Sequence, residues 1–299
     1  MLFSLVLAAT AAFAAPVERD TPLPTGVNFQ LLNGAKNGVS ANIVNLAAAA
    51  SANTLKYYGG PVISNVTVQP LWYSSAPTYA SNILTFYSAV TDSAWIQLLT
   101  QYNEAAYPGT LGSGTSASTA ITIAAGSANP ATVDDSAIQS LLKNLVAAGS
   151  IVPTAHTYFP IHFPSGYTVT SSGEASCVVF CAYHGTVDIS STSNNNGQTY
   201  LYYGVIPDQG GSCAGGCGSN SQTVNNLFSV SSHELAEAIT DPAVGVATTY
   251  ASPLAWYNTN NGEIGDICNA EQSTTVGRDG VTYVIQKLWS NSAKSCVAK

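Results

Sequence analysis

The chain has 299 residues, of which only 8% are charged, and its formal net charge at pH 7 is −8. An acidic balance argues against nucleic acids and anionic membranes as partners, because both are bound through basic patches. The length suffices for one large domain or two modest ones. We expect a monomer that binds neither nucleic acid nor membrane.

Residues 1–15 are almost wholly apolar and end in small residues, which is typical of a secretory signal peptide. This run is too short to span a membrane. We therefore predict a signal peptide at 1–15, a disordered leader or short pro-segment at 16–30, and a single secreted domain at 31–299. The mature protein is expected in the extracellular space or the cell wall.

Hydrophobic periodicity predicts mixed secondary structure. The predicted helices are 37–55, 80–90, 93–102 and 136–148, and the predicted strands are 62–72, 158–163, 175–180 and 199–206. The stretch 108–130 is predicted to be a loop with at most one strand, and 274–276 should pair with 281–288 as a hairpin. We therefore predict an α/β (α+β) fold, in which helices flank a mixed sheet.

The strongest chemical signal is the segment 232–242, which is predicted to be an amphipathic helix. It carries His233 and Glu237 four residues apart, so both side chains lie on one face, one turn apart. Glu234 follows the histidine, as the general base does in the His-Glu-x-x-His pattern of zinc peptidases. Here a glutamate replaces the second histidine. The pattern predicts a zincin-like active-site helix.

Carboxylates gather around this helix without basic partners. Seven of the sixteen lie between Glu234 and Asp279, whereas no lysine or arginine occurs between Lys143 and Arg278. Clustered carboxylates repel one another unless they are exposed, protonated or bound to a metal. The charge pattern therefore favours a metal site in this part of the chain.

The predicted ligands are His233 and Glu237, with Glu263 and Asp266 as the source of a third ligand. Zn²⁺ suits a nitrogen and carboxylate set with one open position. Glu234 would then act as the catalytic base that accepts a proton from water. Ca²⁺ is an alternative, because oxygen ligands outnumber nitrogens.

Two more residues are candidates for the same site. Asp241 lies eight residues after His233, and it can be a ligand or a partner that orients this histidine. Pro242 disfavours helical geometry at Asp241, so the helix should end there. His184 can approach from a neighbouring strand or loop, although a packed or hydrogen-bonded histidine is the simpler interpretation.

A purely structural interpretation of this segment is also open. Ser231 and Glu234 have the spacing of a capping box, so Glu234 can simply mark a helix start. His233 and Glu237 can be a hydrogen-bonded pair, and Asp241 before Pro242 can begin a turn.

Cysteines and a glycosylation signal agree with export. An even number of cysteines in an exported chain favours disulfides over a Cys-rich zinc site, and their spacing is not Cys-x-x-Cys. We prefer a sequential pairing that staples the C-terminal part of the chain. The expected bridges are Cys177–Cys181, Cys213–Cys217 and Cys268–Cys296. Asn65 opens an Asn-x-Thr sequon and is a predicted glycosylation site.

Several segments together resemble a known family. They are Tyr58–Asn65, Leu71–Tyr73, Cys177–Gly185, the pair Cys213 and Cys217, and Leu288 with Trp289 before Cys296. The chain resembles the EXORDIUM / phosphate-induced protein 1 family over residues 57–297. Plant members are extracellular proteins linked to growth and cell-wall responses, so the resemblance implies a role of that kind.

The key helix departs from the plant pattern, which has an apolar helix ending in Thr-Asn-Pro. Residues 233–242 and 262–268 look like the microbial branch, which pairs His-Glu-x-x-Glu-Ala-x-Thr-Asp-Pro with Gly-Glu-Ile-Gly-Asp-x-Cys. We therefore expect a secreted zinc-dependent hydrolase or peptidase that acts on an extracellular protein or wall polymer. The alternative is a non-catalytic extracellular or wall-associated protein in growth or stress responses. Abundant tyrosine suits stacking on sugars, so glycan binding is a further possibility.

Overall fold

The computed structural model describes residues 29–31, 53–123 and 132–299. The predicted signal peptide lies outside these residues, and so does nearly all of the predicted helix at 37–55. Residues 29 and 30, which we assigned to the leader, belong to a strand. Among the described residues, no helix has the length and apolar character needed to cross a bilayer.

The fold is mixed α/β, as predicted. The strands, numbered β1 to β17 in chain order, are Phe29–Leu31, Lys56–Tyr57, Val66–Val68, Leu71–Tyr73, Gly114–Ser116, Ile121–Ile123, Thr132–Asp134, Thr157–His162, Thr168–Ser171, Glu174–Ala175, Phe180–Asp188, Tyr200–Ile206, Trp256–Tyr257, Gln272–Val276, Thr282–Gln286, Leu288–Ser290 and Ser295–Val297. The α-helices, numbered α1 to α4, are Ala80–Val90, Ala94–Gln97, Asp135–Ala147 and Thr223–Thr240. Short 3₁₀ helices lie at Leu98–Tyr102, Gly211–Cys213, Val244–Val246 and Asp266–Cys268.

Most local predictions are confirmed, because they rest on short-range signals. The helix α3 shows the pattern clearly: the Asp134 side chain accepts a hydrogen bond from the Ser136 amide and caps the first turn. Its apolar stripe of Ile138, Leu142 and Val146 is buried. The predicted hairpin is β14 paired antiparallel with β15. The predicted loop at 108–130 has two strands rather than one in its described part, residues 108–123, namely β5 and β6.

Eight strands form one mixed sheet in the order β1-β11-β12-β8-β3-β5, with β4 pairing β8 and β6. The predicted strand 62–72 is wrong in one respect, because it is two strands that both pair with β8. Val68 lies opposite Tyr158 and Leu71 opposite Ile161. Pro70 separates the two strands, since proline has no amide proton to give to a ladder.

The predicted strand 175–180 is also wrong. The strand β10 ends at Ala175, and β11 begins only at Phe180. A tight turn lies between them, in which the Cys177 amide donates to the Phe180 carbonyl. The conformation of Cys177 is left-handed, with φ of 61°.

The helix α4 lies at the centre of the molecule. It packs against β11 and β12 of the main sheet and against β15 of the hairpin. Every residue from Asn226 to Thr240 is buried, so the helix lacks the exposed polar face that the predicted amphipathic helix would have. The helix begins at Thr223, well before Ser231, so the capping-box interpretation of Glu234 is wrong. It ends at Thr240, as Pro242 predicted.

Three disulfides cross-link the C-terminal half. The bridge Cys268–Cys296 was predicted correctly, but the other two are Cys177–Cys213 and Cys181–Cys217. The sequential prediction failed because the turn before β11 lies beside the loop at 211–217, so each cysteine meets a distant partner. All six cysteines are paired, which leaves none to bind zinc. Disulfides of this number are consistent with an exported protein.

Candidate metal centre

The helix α4 places charged side chains inside the protein core. His233 and Glu234 have no exposed surface, and Glu237 is 1% exposed. Burying ionised groups is costly unless they are paired or bound to a metal. These side chains therefore need partners from the elements that pack around the helix.

The strand β11 brings His184 to the helix. Its Nδ1 atom lies 3.5 Å from Oε2 of Glu234 and 3.6 Å from Oε2 of Glu237. Its other ring nitrogen, Nε2, lies 3.5 Å from Oε1 of Glu263. The bridge from Cys181, three residues earlier, ties this strand to the loop before the helix.

The segment 262–268 closes the cluster from the other side. Nε2 of His233 lies 3.1 Å from Oε2 of Glu237 and 3.8 Å from Oδ1 of Asp266. Oε1 of Glu237 accepts hydrogen bonds of 3.0 Å from the amides of both Gly265 and Asp266. The predicted pairing of the helix with this segment is therefore seen in the structure.

Gly265 makes this close approach possible. A Cβ atom at this position would lie 2.7 Å from Nδ1 of His233 and 2.9 Å from Oε1 of Glu237. Such contacts would push the segment away from the helix. The local turn is held by Asp266, whose Oδ2 accepts a hydrogen bond of 3.0 Å from the Glu263 amide.

Asp241, predicted to be a ligand or a partner that orients His233, lies next to His184 and belongs to neither group of candidate ligands. Its main-chain oxygen lies 3.4 Å from Nε2 of His184. Oδ1 of Asp241 accepts a hydrogen bond of 2.8 Å from the Ala255 amide, whereas Oδ2 is buried without a hydrogen-bond partner among the described residues. Asp241 therefore fixes the end of α4 beside the cluster.

The electrostatics of the cluster follow from burial and close charges. Burial opposes a charge on His233, but Glu237, Glu234 and Asp266 outweigh it and raise the pKa of His233 to about 10. Burial raises the pKa of Glu234 and raises that of Asp266 to about 7. Burial also raises the pKa of Asp241 well above its usual range. Burial also opposes a charge on Glu237, but His233 and His184 outweigh it and lower the pKa of Glu237. Glu234, Asp241 and Asp266 thus resist ionisation, whereas the ionised form of Glu237 is favoured.

Several buried atoms in the cluster lack hydrogen-bond partners among the described residues. They are Nδ1 of His184, both ring nitrogens of His233, both carboxylate oxygens of Glu234 and Oδ2 of Asp241. The atoms lie close to one another, yet they are not aligned to hydrogen bond. Ligand atoms that converge on a cation have this arrangement, so the residues present fit a metal ion.

Two groups of residues can each hold a metal ion. The first is His184, Glu234 and Glu237, and the second is His233, Glu237 and Asp266. Within each group, the ligand atoms lie within 4.8 Å of one another. The ligands predicted from the sequence were those of the second group together with Glu263, which belongs to neither group. His184 was predicted only as a supporting residue or alternative ligand, and Glu234 only as the catalytic base. The spacing of His184 after Cys181 was the available signal.

Comparisons with known proteins give no relative for this chain: no family model, no curated protein and no solved structure matches it. Function must therefore be argued from the site itself.

Proposed function

We propose that this chain is an exported, EXORDIUM-like zinc protein whose buried cluster serves as the site of a metal-dependent hydrolase. The observation that carries this proposal is the convergence of His184 and His233 with three carboxylates, Glu234, Glu237 and Asp266. These residues come from a strand, a helix and a loop that are far apart in sequence.

Zinc suits the cluster better than calcium does. Two imidazole rings are available, and calcium prefers an all-oxygen shell of six to eight ligands. Structural zinc sites are usually rich in cysteine and closed, whereas catalytic sites use histidine and carboxylate ligands with one open position. Since all six cysteines are in disulfides, the ligand set is that of a catalytic site.

Asp266 is the most exposed of the candidate ligands. Its side chain is 17% exposed, whereas those of His233 and Glu237 are at most 1% exposed. The cluster is thus shielded from bulk water on most sides and reaches the surface beside the segment 262–268. A bound zinc ion supplies Lewis acidity and lowers the pKa of water at such a site.

Glu234 is the residue we assign to proton transfer. Both of its oxygens are buried and form no aligned hydrogen bond within the described part of the chain, although Nδ1 of His184 lies 3.5 Å from Oε2. Burial raises its pKa, as suits a general base. In peptide hydrolysis, the water oxygen bonds to the acyl carbon and the C–N bond breaks. Glu234 accepts the proton that water loses and returns it to the leaving nitrogen.

Metal analysis of the purified mature protein tests metal binding first. Zinc that is bound by the wild type, reduced in His233→Ala and kept in full in the exposed control His156→Ala supports the proposal. A folded wild-type protein that takes up no zinc would overturn it. Hydrolysis of a general protein substrate then tests catalysis: Glu234→Gln should abolish it, and the surface control Glu271→Gln should not.

A second candidate function is glycan binding, which a separate surface feature favours. A cleft of about 530 Å³ is lined by Tyr107, Tyr200 and Tyr202, together with Gln198 and Thr199. Aromatic rings flanked by amide and hydroxyl groups can stack on and hydrogen bond to sugars. Calorimetry with soluble wall oligosaccharides tests this: binding should be lost in Tyr200→Ala and survive His233→Ala. Binding that Tyr200→Ala leaves intact would exclude the cleft.

A further inference from the structure

We infer that the cluster holds two divalent metal ions that share Glu237, an inference that rests on the proposed metal site and deepens it. The two groups of candidate ligands overlap at this one residue. His184 and Glu234 belong to the first group alone, and His233 and Asp266 belong to the second alone.

The position of Glu237 suits a shared ligand. Its Oε1 atom is fixed by hydrogen bonds from the amides of Gly265 and Asp266. Its Oε2 atom lies between the two histidines, 3.1 Å from Nε2 of His233 and 3.6 Å from Nδ1 of His184. The backbone therefore holds one oxygen and presents the other to both groups at once.

A single ion would leave half of the candidate ligands without a metal. An ion among His184, Glu234 and Glu237 would leave Nε2 of His233 with the Glu237 carboxylate, 3.1 Å away but not aligned as a hydrogen bond. An ion in the second group would leave Glu234 with the ring of His184, 3.5 Å away and likewise not aligned as a hydrogen bond. Poorly satisfied buried polar atoms cost free energy, and two ions would remove this cost in both groups.

Charge balance points in the same direction. Five buried or mostly buried carboxylates line the cluster: Glu234, Glu237, Asp241, Glu263 and Asp266. If all five are ionised, they carry five negative charges. One divalent ion would reduce the net charge to −3, and two ions would reduce it to −1. Since uncompensated charge in a protein interior is costly, the set is better matched to two ions.

Glu234 would have two roles beside a pair of ions. One of its oxygens would hold an ion, and the other would remain available to accept a proton. Pairs of metal ions sharing a carboxylate are suited to hydrolysis, because they stabilise the attacking and leaving atoms together.

Zinc stoichiometry of the mature protein is the first test. We expect two ions per chain in the wild type, one in His184→Ala, one in Asp266→Asn and none in Glu237→Ala, with the exposed control Glu271→Gln keeping two. One ion in the wild type would overturn this inference and leave the proposed function standing. No ion would overturn both.

A test on the wild type avoids variants that fail to fold. Protein loaded with Co²⁺ should bind two ions and show magnetic coupling between them in its electron paramagnetic resonance spectrum. Two uncoupled ions would show that Glu237 is not shared, and the inference would then be wrong.

Discussion

His233 and Glu237 lie one turn apart on α4, with Nε2 of the histidine 3.1 Å from Oε2 of the glutamate. The second oxygen of Glu237 accepts hydrogen bonds from the amides of Gly265 and Asp266. These hydrogen bonds therefore hold the segment 262–268 against the helix. The same glutamate faces a histidine with one oxygen and anchors a loop with the other.

This close approach makes Gly265 a sensitive position. In Gly265→Ala, the added Cβ would meet His233 and Glu237 at 2.7 and 2.9 Å, so the segment must move away. We expect zinc affinity to fall by roughly 10- to 100-fold, as when residues that orient metal ligands are altered. Calorimetric titration measures this. Gly215→Ala is the control, because nothing lies within 4 Å of its Cβ position; equal affinity in both variants would contradict the prediction.

Half of the candidate site could be predicted from the sequence. Helical spacing places His233 and Glu237 on one face, and the scarcity of basic residues indicated that nearby carboxylates needed a cation. His184 could not be placed in the same way. It reaches the cluster through the pairing of β11 with β12 and through the bridge from Cys181, both of which are long-range contacts.

The fold could likewise be predicted where it depends on neighbouring residues, and not where it depends on contacts between distant ones. Helices such as α1 and α3 follow from apolar periodicity and capping. The burial of α4 on all sides does not, because it depends on the β14–β15 hairpin covering one side while the sheet covers the other. The two mispaired disulfides failed for a similar reason: spacing along the chain says nothing about which turns lie side by side.

The sequon at Asn65 gives a prediction about modification. Asn65 and Thr67 are both exposed, so in a host that glycosylates we expect one glycan on Asn65. Asn65 has φ of 49°, which asparagine tolerates better than most residues, so Thr67→Ala is a safer probe than replacing the asparagine. Mass spectrometry should show the glycan lost in Thr67→Ala and kept in Thr67→Ser. A glycan that persists in Thr67→Ala would contradict the assignment.

The bridge between Cys181 and Cys217 should matter for both stability and metal binding. It closes a loop of sequence separation 36, for which the chain-entropy model gives about 3–4 kcal/mol of stabilisation. In Cys181→Ser with Cys217→Ser, the free energy of unfolding should fall by about this amount. Zinc affinity should fall too, because His184 lies three residues after Cys181. Removing both Cys268 and Cys296 is the comparison for stability, and it should lower the free energy of unfolding by a similar amount. If the variant without Cys181 and Cys217 lost this stability but kept its zinc affinity, the link to His184 would be contradicted.

His162 should contribute to the pH dependence of stability. It is buried, with Tyr87 as its titratable neighbour, whose hydroxyl lies 3.1 Å from Nε2, and burial lowers the pKa of His162 to about 3. Below pH about 6.5, His162 takes up a proton in the unfolded chain but stays neutral in the folded protein. The free energy of unfolding therefore falls by about 1.4 kcal/mol for each unit by which the pH is lowered. His162→Gln cannot take up this proton, and its stability relative to wild type should therefore improve as pH falls from 7 to 4.5. Chemical denaturation at several pH values measures the difference. A constant difference between His162→Gln and wild type across this range would show that His162 does not contribute to the pH dependence.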